Sequence, residues 1–169
     1  MMGRMSAPTI LISIDLAGRS SDTCFTVLDL AGRLRARVVL VHCLAAAPGM
    51  KRDTVVTEVT AGELLERDAH KHAEPLLTLF REGGVAAELE LSWEPAKDAL
   101  VKSALAHQAL LIALGVQPRT GLKRVFSGES LGDALAALAP CPVLLVRGRE
   151  DEGAGYSTAQ FQMLAETDG

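Results

Sequence analysis

Residues 109–147, ALLIALGVQPRTGLKRVFSGESLGDALAALAPCPVLLVR, decide the fold. They open with a short apolar run, 110–114. A polar, glycine-bearing loop follows from Gly115 to about Gly128, and then Leu131, Ala134, Leu135 and Leu138 recur at helical spacing. Pro140 and Pro142 end that helix, because proline lacks an N–H and clashes with the preceding turn. A second apolar run, 143–146, closes the stretch. Strand, loop, helix, strand is one βαβ unit of a parallel sheet. Such sheets bind ligands at the carboxyl end of a strand, where the next helix begins. A site is therefore expected at this loop.

Working outward, residues 9–15, TILISID, read as a buried first strand with Asp15 at its carboxyl end. Asp15 can brace the following turn. Residues 18–21 make the turn, and Ser20, Ser21 or Asp22 can cap a helix on which Cys24, Val27, Leu28, Ala31 and Leu34 form the apolar face. The second strand is 37–44, RVVLVHCL; a lone His42 inside it reads as a satisfied structural residue rather than a ligand. In 45–60, Pro48 and Gly49 break any helix, and such connections often cover a ligand.

Residues 61–81 form a long helical pattern, with Leu65, Ala69, Ala73, Leu76, Leu77 and Phe80 on one side. Pro75 is expected to kink or break it. His70 and His72 are two residues apart, so they diverge on a helix and read as a solvated face rather than a metal pair. Residues 85–91 read as an edge strand with one wet face, since Glu88 and Glu90 alternate with Leu89 and Leu91. Pro95 opens a third helix that runs to His107, and Trp93 before it is expected to pack rather than line a cleft.

At 169 residues, one domain is the natural count. It is expected over 8–148, after a flexible lead-in at 1–7. The tail, 149–169, is linker-like with a small apolar cluster (Phe161, Met163, Leu164), and reads as a disordered tail or a short docking helix. Aromatic residues make up only 4%, so the core must be aliphatic, as in buried parallel strands. A net charge of −4 argues against a general nucleic-acid binder. No apolar run approaches the roughly 18–20 residues that span a bilayer, and no apolar signal segment is expected at the N-terminus. Cys24, Cys43 and Cys141 are scattered without a CxxC, which fits free thiols rather than zinc or a disulfide framework.

The loop and closing strand resemble the universal stress protein family, whose nucleotide-binding members carry G-x2-G-x9-G-[S/T] before a helix and an A-P-C-P-V-L-V-V-type last strand. Gly115 and Gly128 stand at the first and last glycine positions. RTGLKR (119–124) and APCPVLLVR (139–147) match the family's wording. Two positions depart: Pro118 replaces the middle glycine, and Glu129 stands where Ser or Thr belongs, with Ser130 one residue late and one extra residue before the last strand. The resemblance covers about residues 8–147. It implies an open five-stranded parallel sheet, order 3-2-1-4-5, with helices on both faces, of the adenine nucleotide alpha hydrolase-like kind. It further implies a cleft between strands one and four, a homodimer through the 143–146 edge, and a cytoplasmic stress-response regulator. The implied ligand is an adenine nucleotide, ATP with Mg²⁺ or AMP. It would lie among Ser13, Ile14 and Asp15, the Cys43 backbone, and Gly115, Gly128, Glu129 and Ser130.

Glycines let backbone N–H groups approach an anion, and a helix N-terminus adds partial positive charge. Pro118 removes one N–H. A carboxylate at Glu129 about 5 Å from a phosphate would cost on the order of a few kcal/mol. The alternative is therefore a family member without a nucleotide, acting through a regulatory protein partner. No catalytic residue is nominated, and at most weak ATP hydrolysis is expected. Walker A and GxGxxG motifs are absent, and the segment after the first strand, 15–21, lacks the S-G-G-x-D-S pattern of ATP pyrophosphatases.

Overall fold

Ile10, Leu11 and Ile12 are consecutive and all fully buried. Successive strand side chains face opposite ways, so this segment must be covered on both faces. It is the centre of the sheet. The computed structural model describes residues 7–16, 20–45, 51–56, 58–116 and 130–148. In chain order the elements are β1 (Thr9–Ser13), α1 (Ser21–Leu34), β2 (Arg37–Cys43), β3 (Val55–Val56), β4 (Val59–Thr60), α2 (Ala61–Glu82), β5 (Ala87–Ser92), α3 (Ala96–Ala106), β6 (Leu111–Val116), α4 (Leu131–Leu138) and β7 (Val143–Arg147). The main sheet has the order β5-β2-β1-β6-β7, with every pairing parallel. Counting only its five strands, that is the 3-2-1-4-5 arrangement.

The period of two sorts the core into two layers. Ile10, Ile12 and Ile14 pack with Val38, Leu40, Cys24, Val27, Ala31 and Phe80, on the side of α1 and α2. Leu11, Val39, Val41, Ile112 and Leu114 pack with Leu100, Ala104 and Leu135, on the side of α3 and α4. Among the described residues, no helix is long and apolar enough to cross a membrane.

Three local features add to these expectations. Helix α2 runs from Ala61 to Glu82 without ending at Pro75. The ring forfeits one backbone bond, and the burial of Ala73 and Phe80 on either side holds the helix together. Strand β5 lies at a sheet edge with Glu88 exposed, as expected, and its acids are also paired. Arg37 donates from Nη1 to Glu88 at 3.0 Å, and the His107 ring nitrogen Nε2 lies 2.7 Å from Glu90. The connection after β2 holds a two-stranded antiparallel pair, β3 with β4. It also holds a fastening at Arg52. The Arg52 guanidinium lies 5.1 Å from the centre of the Trp93 ring, and Glu66 accepts from both Trp93 Nε1 (3.0 Å) and Arg52 Nη2 (3.3 Å). Trp93 therefore packs, as expected, and ties this connection to the turn after β5.

Candidate functional site

Strand order reverses direction at β1: the chain leaves it toward β2 and later returns on its other side as β6. The carboxyl ends of β1 and β6 therefore flank a topological switch point, where open α/β sheets hold ligands. Register places Ser13 beside Leu114, so Ile14 and Asp15 emerge next to Gly115 and Val116. On the other side Ser13 pairs with Val41, which brings His42 and Cys43 to the same end. Five of the expected residues, Ser13, Ile14, Asp15, Cys43 and Gly115, thus share one end of the sheet. Ser130 is the N-cap of α4. The first turn of that helix lies against the carboxyl half of β7, since a Cβ on Gly132 would sit 3.1 Å from Leu145. Pro118, Gly128 and Glu129 lie outside the described residues.

The backbone of the β1 end is already engaged. Ile14 N donates to Val41 O at 3.0 Å. His42 Nδ1 lies 3.2 Å from Ile14 O, and because a carbonyl only accepts, Nδ1 carries the proton. Asp15 N donates to Ser20 Oγ at 2.7 Å, and Ser20 Oγ donates back to Asp15 O at 3.0 Å. Ser20 occupies the N-cap position of α1 but makes no side-chain cap bond. Its hydroxyl serves Asp15 instead, which the sequence pattern did not indicate. His42 is the satisfied residue that was expected.

Gly115 has a steric reason that its motif position does not disclose. A Cβ there would lie 2.6 Å from Oγ1 of Thr23, a buried residue of α1. No local pattern links these two positions, so the packing reason was invisible in sequence. Ser130 is also committed. Its Oγ accepts from Asp133 N at 3.2 Å, and Ser130 donates to Asp133 Oδ2 from Oγ at 2.6 Å and from N at 3.2 Å. This is a complete capping box. A phosphate at Ser130 competes with Asp133 for the hydroxyl proton and the N–H.

Two shallow surface depressions, of about 540 and 560 Å³, lie away from this end. One is bounded by Phe25, Leu28 and Gly83, the other by Val101, Leu105 and Leu138. Neither touches an expected site residue, and both are open grooves, so topology is the better guide to the site. The three cysteines are free. Burial pushes the Cys24 thiol up to about 12 and also raises Cys43 and Cys141. His70 and His72 are exposed on α2, with His72 beside Asp68.

With this fold and this strand-end arrangement in place, comparison with known proteins is decisive at the family level. The profile of the universal stress protein family matches residues 8–147. The chain belongs to the universal stress protein family. The universal stress protein MJ0531 of Methanocaldococcus jannaschii is 24% identical over 143 residues, covering 85% of this chain and 84% of its own. Among solved structures, a universal stress protein of Archaeoglobus fulgidus in complex with dAMP superposes with a TM-score of 0.58 at 18% identity, covering 83% of this chain and 98% of its own. A universal stress protein family member from Arabidopsis thaliana with AMP bound gives a TM-score of 0.56 at 13% identity, over 88% and 97% of the two chains. At these identities the structural matches establish the fold. The last strand of the family domain is β7, and it is an edge strand here, with Leu145 51% exposed.

Proposed function

We propose that this universal stress protein binds an adenine nucleotide of the AMP class at the carboxyl ends of β1, β2 and β6. The observation that carries the reading is the juxtaposition of Ile14 and Asp15 with Gly115 at the switch point. Relatives of the same fold with dAMP and AMP bound support it. Asp15 and the Cys43 backbone would hold the adenosine half, and Gly115, Gly128 and Ser130 the phosphate. A monophosphate suits the α4 end better than Mg²⁺–ATP, because the Asp133 carboxylate already occupies Ser130, and Pro118 and Glu129 weaken the loop as a polyphosphate cradle. The role that follows is a cytoplasmic stress-response regulator whose state depends on nucleotide.

The test is direct. Freshly purified protein is denatured and its supernatant run on ion-exchange chromatography, and the stripped protein is titrated with AMP and with ATP–Mg²⁺. Co-purified adenine nucleotide, or micromolar AMP affinity exceeding that for ATP–Mg²⁺, is expected. No binding up to millimolar concentration overturns the reading. The second reading, a family member working only through protein contacts, then takes its place. It is favoured by the closed capping box at Ser130 and by the exposed Leu105 and Leu138 on α3 and α4.

The same proposal includes a homodimer through the β7 edge, where an unpaired strand offers backbone groups and Leu145 an apolar side chain. Leu145→Lys is expected to shift the sedimenting species from dimer to monomer. An unchanged sedimentation profile counts against this edge.

A further inference from the structure

We propose that Ser20 and His42 are positioning residues that clamp the carboxyl end of β1 and so fix the main chain that carries Asp15. The proposal rests on the reading of this end as a nucleotide site, and names groups within it that hold the site rather than touch the ligand. Three observations carry it.

First, the Ser20 hydroxyl uses both of its capacities on one residue, accepting from Asp15 N at 2.7 Å and donating to Asp15 O at 3.0 Å. A hydroxyl that bridges the N–H and C=O of a single residue restrains both peptide planes flanking it, so it limits φ and ψ there directly. Ser20 is only 7% exposed, so water is a poor competitor for these bonds.

Second, the bond is made at the expense of a helix cap. Thr60 and Ser130, the N-caps of α2 and α4, have extended backbone (ψ 155° and 156°) and complete capping boxes. Ser20 has ψ −3° and makes no side-chain cap bond to α1. An N-cap serine ordinarily satisfies an orphan N–H of the first turn. Here the conformation turns the hydroxyl away from the helix and toward the strand end.

Third, the neighbouring strand supplies a second hold. His42 donates from Nδ1 to Ile14 O at 3.2 Å, while Ile14 N is held by Val41 O at 3.0 Å. The N–H and C=O of both Ile14 and Asp15 are therefore taken by the protein. Along β1 a ligand therefore meets side chains, Asp15 among them, on a backbone whose N–H and C=O groups each already have a protein partner. The clamp makes the placement of that side chain a property of the folded protein rather than something the ligand must impose, which lowers the ordering cost of binding.

The experiment uses the full chain and has a ligand-free arm and a ligand arm. In the ligand-free arm, hydrogen exchange of the Asp15 amide is followed by NMR. Ser20→Ala is expected to speed it at least about tenfold, with ladder amides of β1 and β2 unchanged. Equal Asp15 exchange in the two proteins overturns the clamp, whatever the ligand results. In the ligand arm, AMP affinity is measured for Ser20→Ala, Asp15→Ala and the double variant. A residue acting through Asp15 gives a loss of about three- to tenfold alone and none in the Asp15→Ala background, whereas a general structural role gives additive losses and overturns the positioning role. His42→Asn, which keeps a donor near Ile14 O, retains more affinity than His42→Ala if the hold is the bond itself; equal losses overturn that part. A wild-type protein that binds no AMP but shows the exchange difference overturns the nucleotide reading and upholds the clamp. If Ser20→Ala does not fold, Ser20→Thr, which retains the hydroxyl, must fold and keep the slow Asp15 exchange; faster exchange in it overturns the clamp.

Discussion

At the amino ends of β1 and β2 the sheet is closed by long charged side chains, whereas at their carboxyl ends it is closed by short side chains bound to backbone. The amino end is organised by Arg37, which reaches Thr9 Oγ1 (2.9 Å), Glu88 Oε1 (3.0 Å) and His107 Nδ1 (3.1 Å). A guanidinium only donates, so His107 accepts at Nδ1 and donates from Nε2 to Glu90 (2.7 Å). That network joins β1, β2, β5 and the end of α3 by side chain to side chain. At the other end, Ser20 and His42 bind Asp15 and Ile14 through main-chain atoms. Paired side chains satisfy one another and tie elements together. Pinned backbone fixes where a strand stops and in what conformation its last residue is held, which is the requirement for a binding position.

The largest effect is expected from Gly115→Ala. The new Cβ falls 2.6 Å from Thr23 Oγ1, which is buried and must move. Overpacking of this kind costs about 1–3 kcal/mol in urea-induced unfolding, and the loss is expected to shrink in the Gly115→Ala, Thr23→Ala double variant. An unchanged midpoint in the single variant would mean that β6 and α1 give way easily.

Arg37→Met tests the opposite end. Loss of its hydrogen bonds is expected to cost about 1–2 kcal/mol, the lower part of the range being favoured by the partial exposure of its ion pair with Glu88. AMP affinity should stay within about twofold. An affinity loss as large as that of Ser20→Ala would remove the distinction between the two ends.

The smallest effect isolates the layer between them. Desolvation pushes Cys24 up to about 12 in the folded chain, against 9.0 for an unperturbed thiol. A raised pKa contributes stability that is full below about pH 9 and is lost as pH climbs from there toward 12, because the unfolded chain ionises first. Unfolding measured at pH 8 and pH 10 should therefore show wild type losing about 1 kcal/mol more than Cys24→Ala. Parallel pH profiles would mean that the thiol ionises without unfolding.

Much of the fold was legible because its signals are local. The β-branched run at 9–15, the helical spacing from Leu131 to Leu138 and the proline-bounded strand after it each declare an element within a few residues. Pro75 does not break α2, since a proline's local penalty is outweighed when the flanking turns are buried. The pairing of Glu88 with Arg37 and of Glu90 with His107 was not legible, because these partners come from other elements. Of the candidate site, the gathering of Ser13, Ile14, Asp15, Cys43 and Gly115 followed from strand order. The service of Ser20 to Asp15, the closeness of Gly115 to Thr23 and the Arg52–Trp93–Glu66 fastening did not.

Periodicity, turn chemistry and motif wording are written along the chain, and they suffice for the alternation of strands and helices, the parallel sheet these must form, and the resemblance to the universal stress protein family. Packing settles which hydroxyl serves a helix and which serves a strand end, and why a side chain at Gly115 would crowd Thr23. Those outcomes depend on which residues distant in sequence meet within about 3 Å, and the chain's order does not state that.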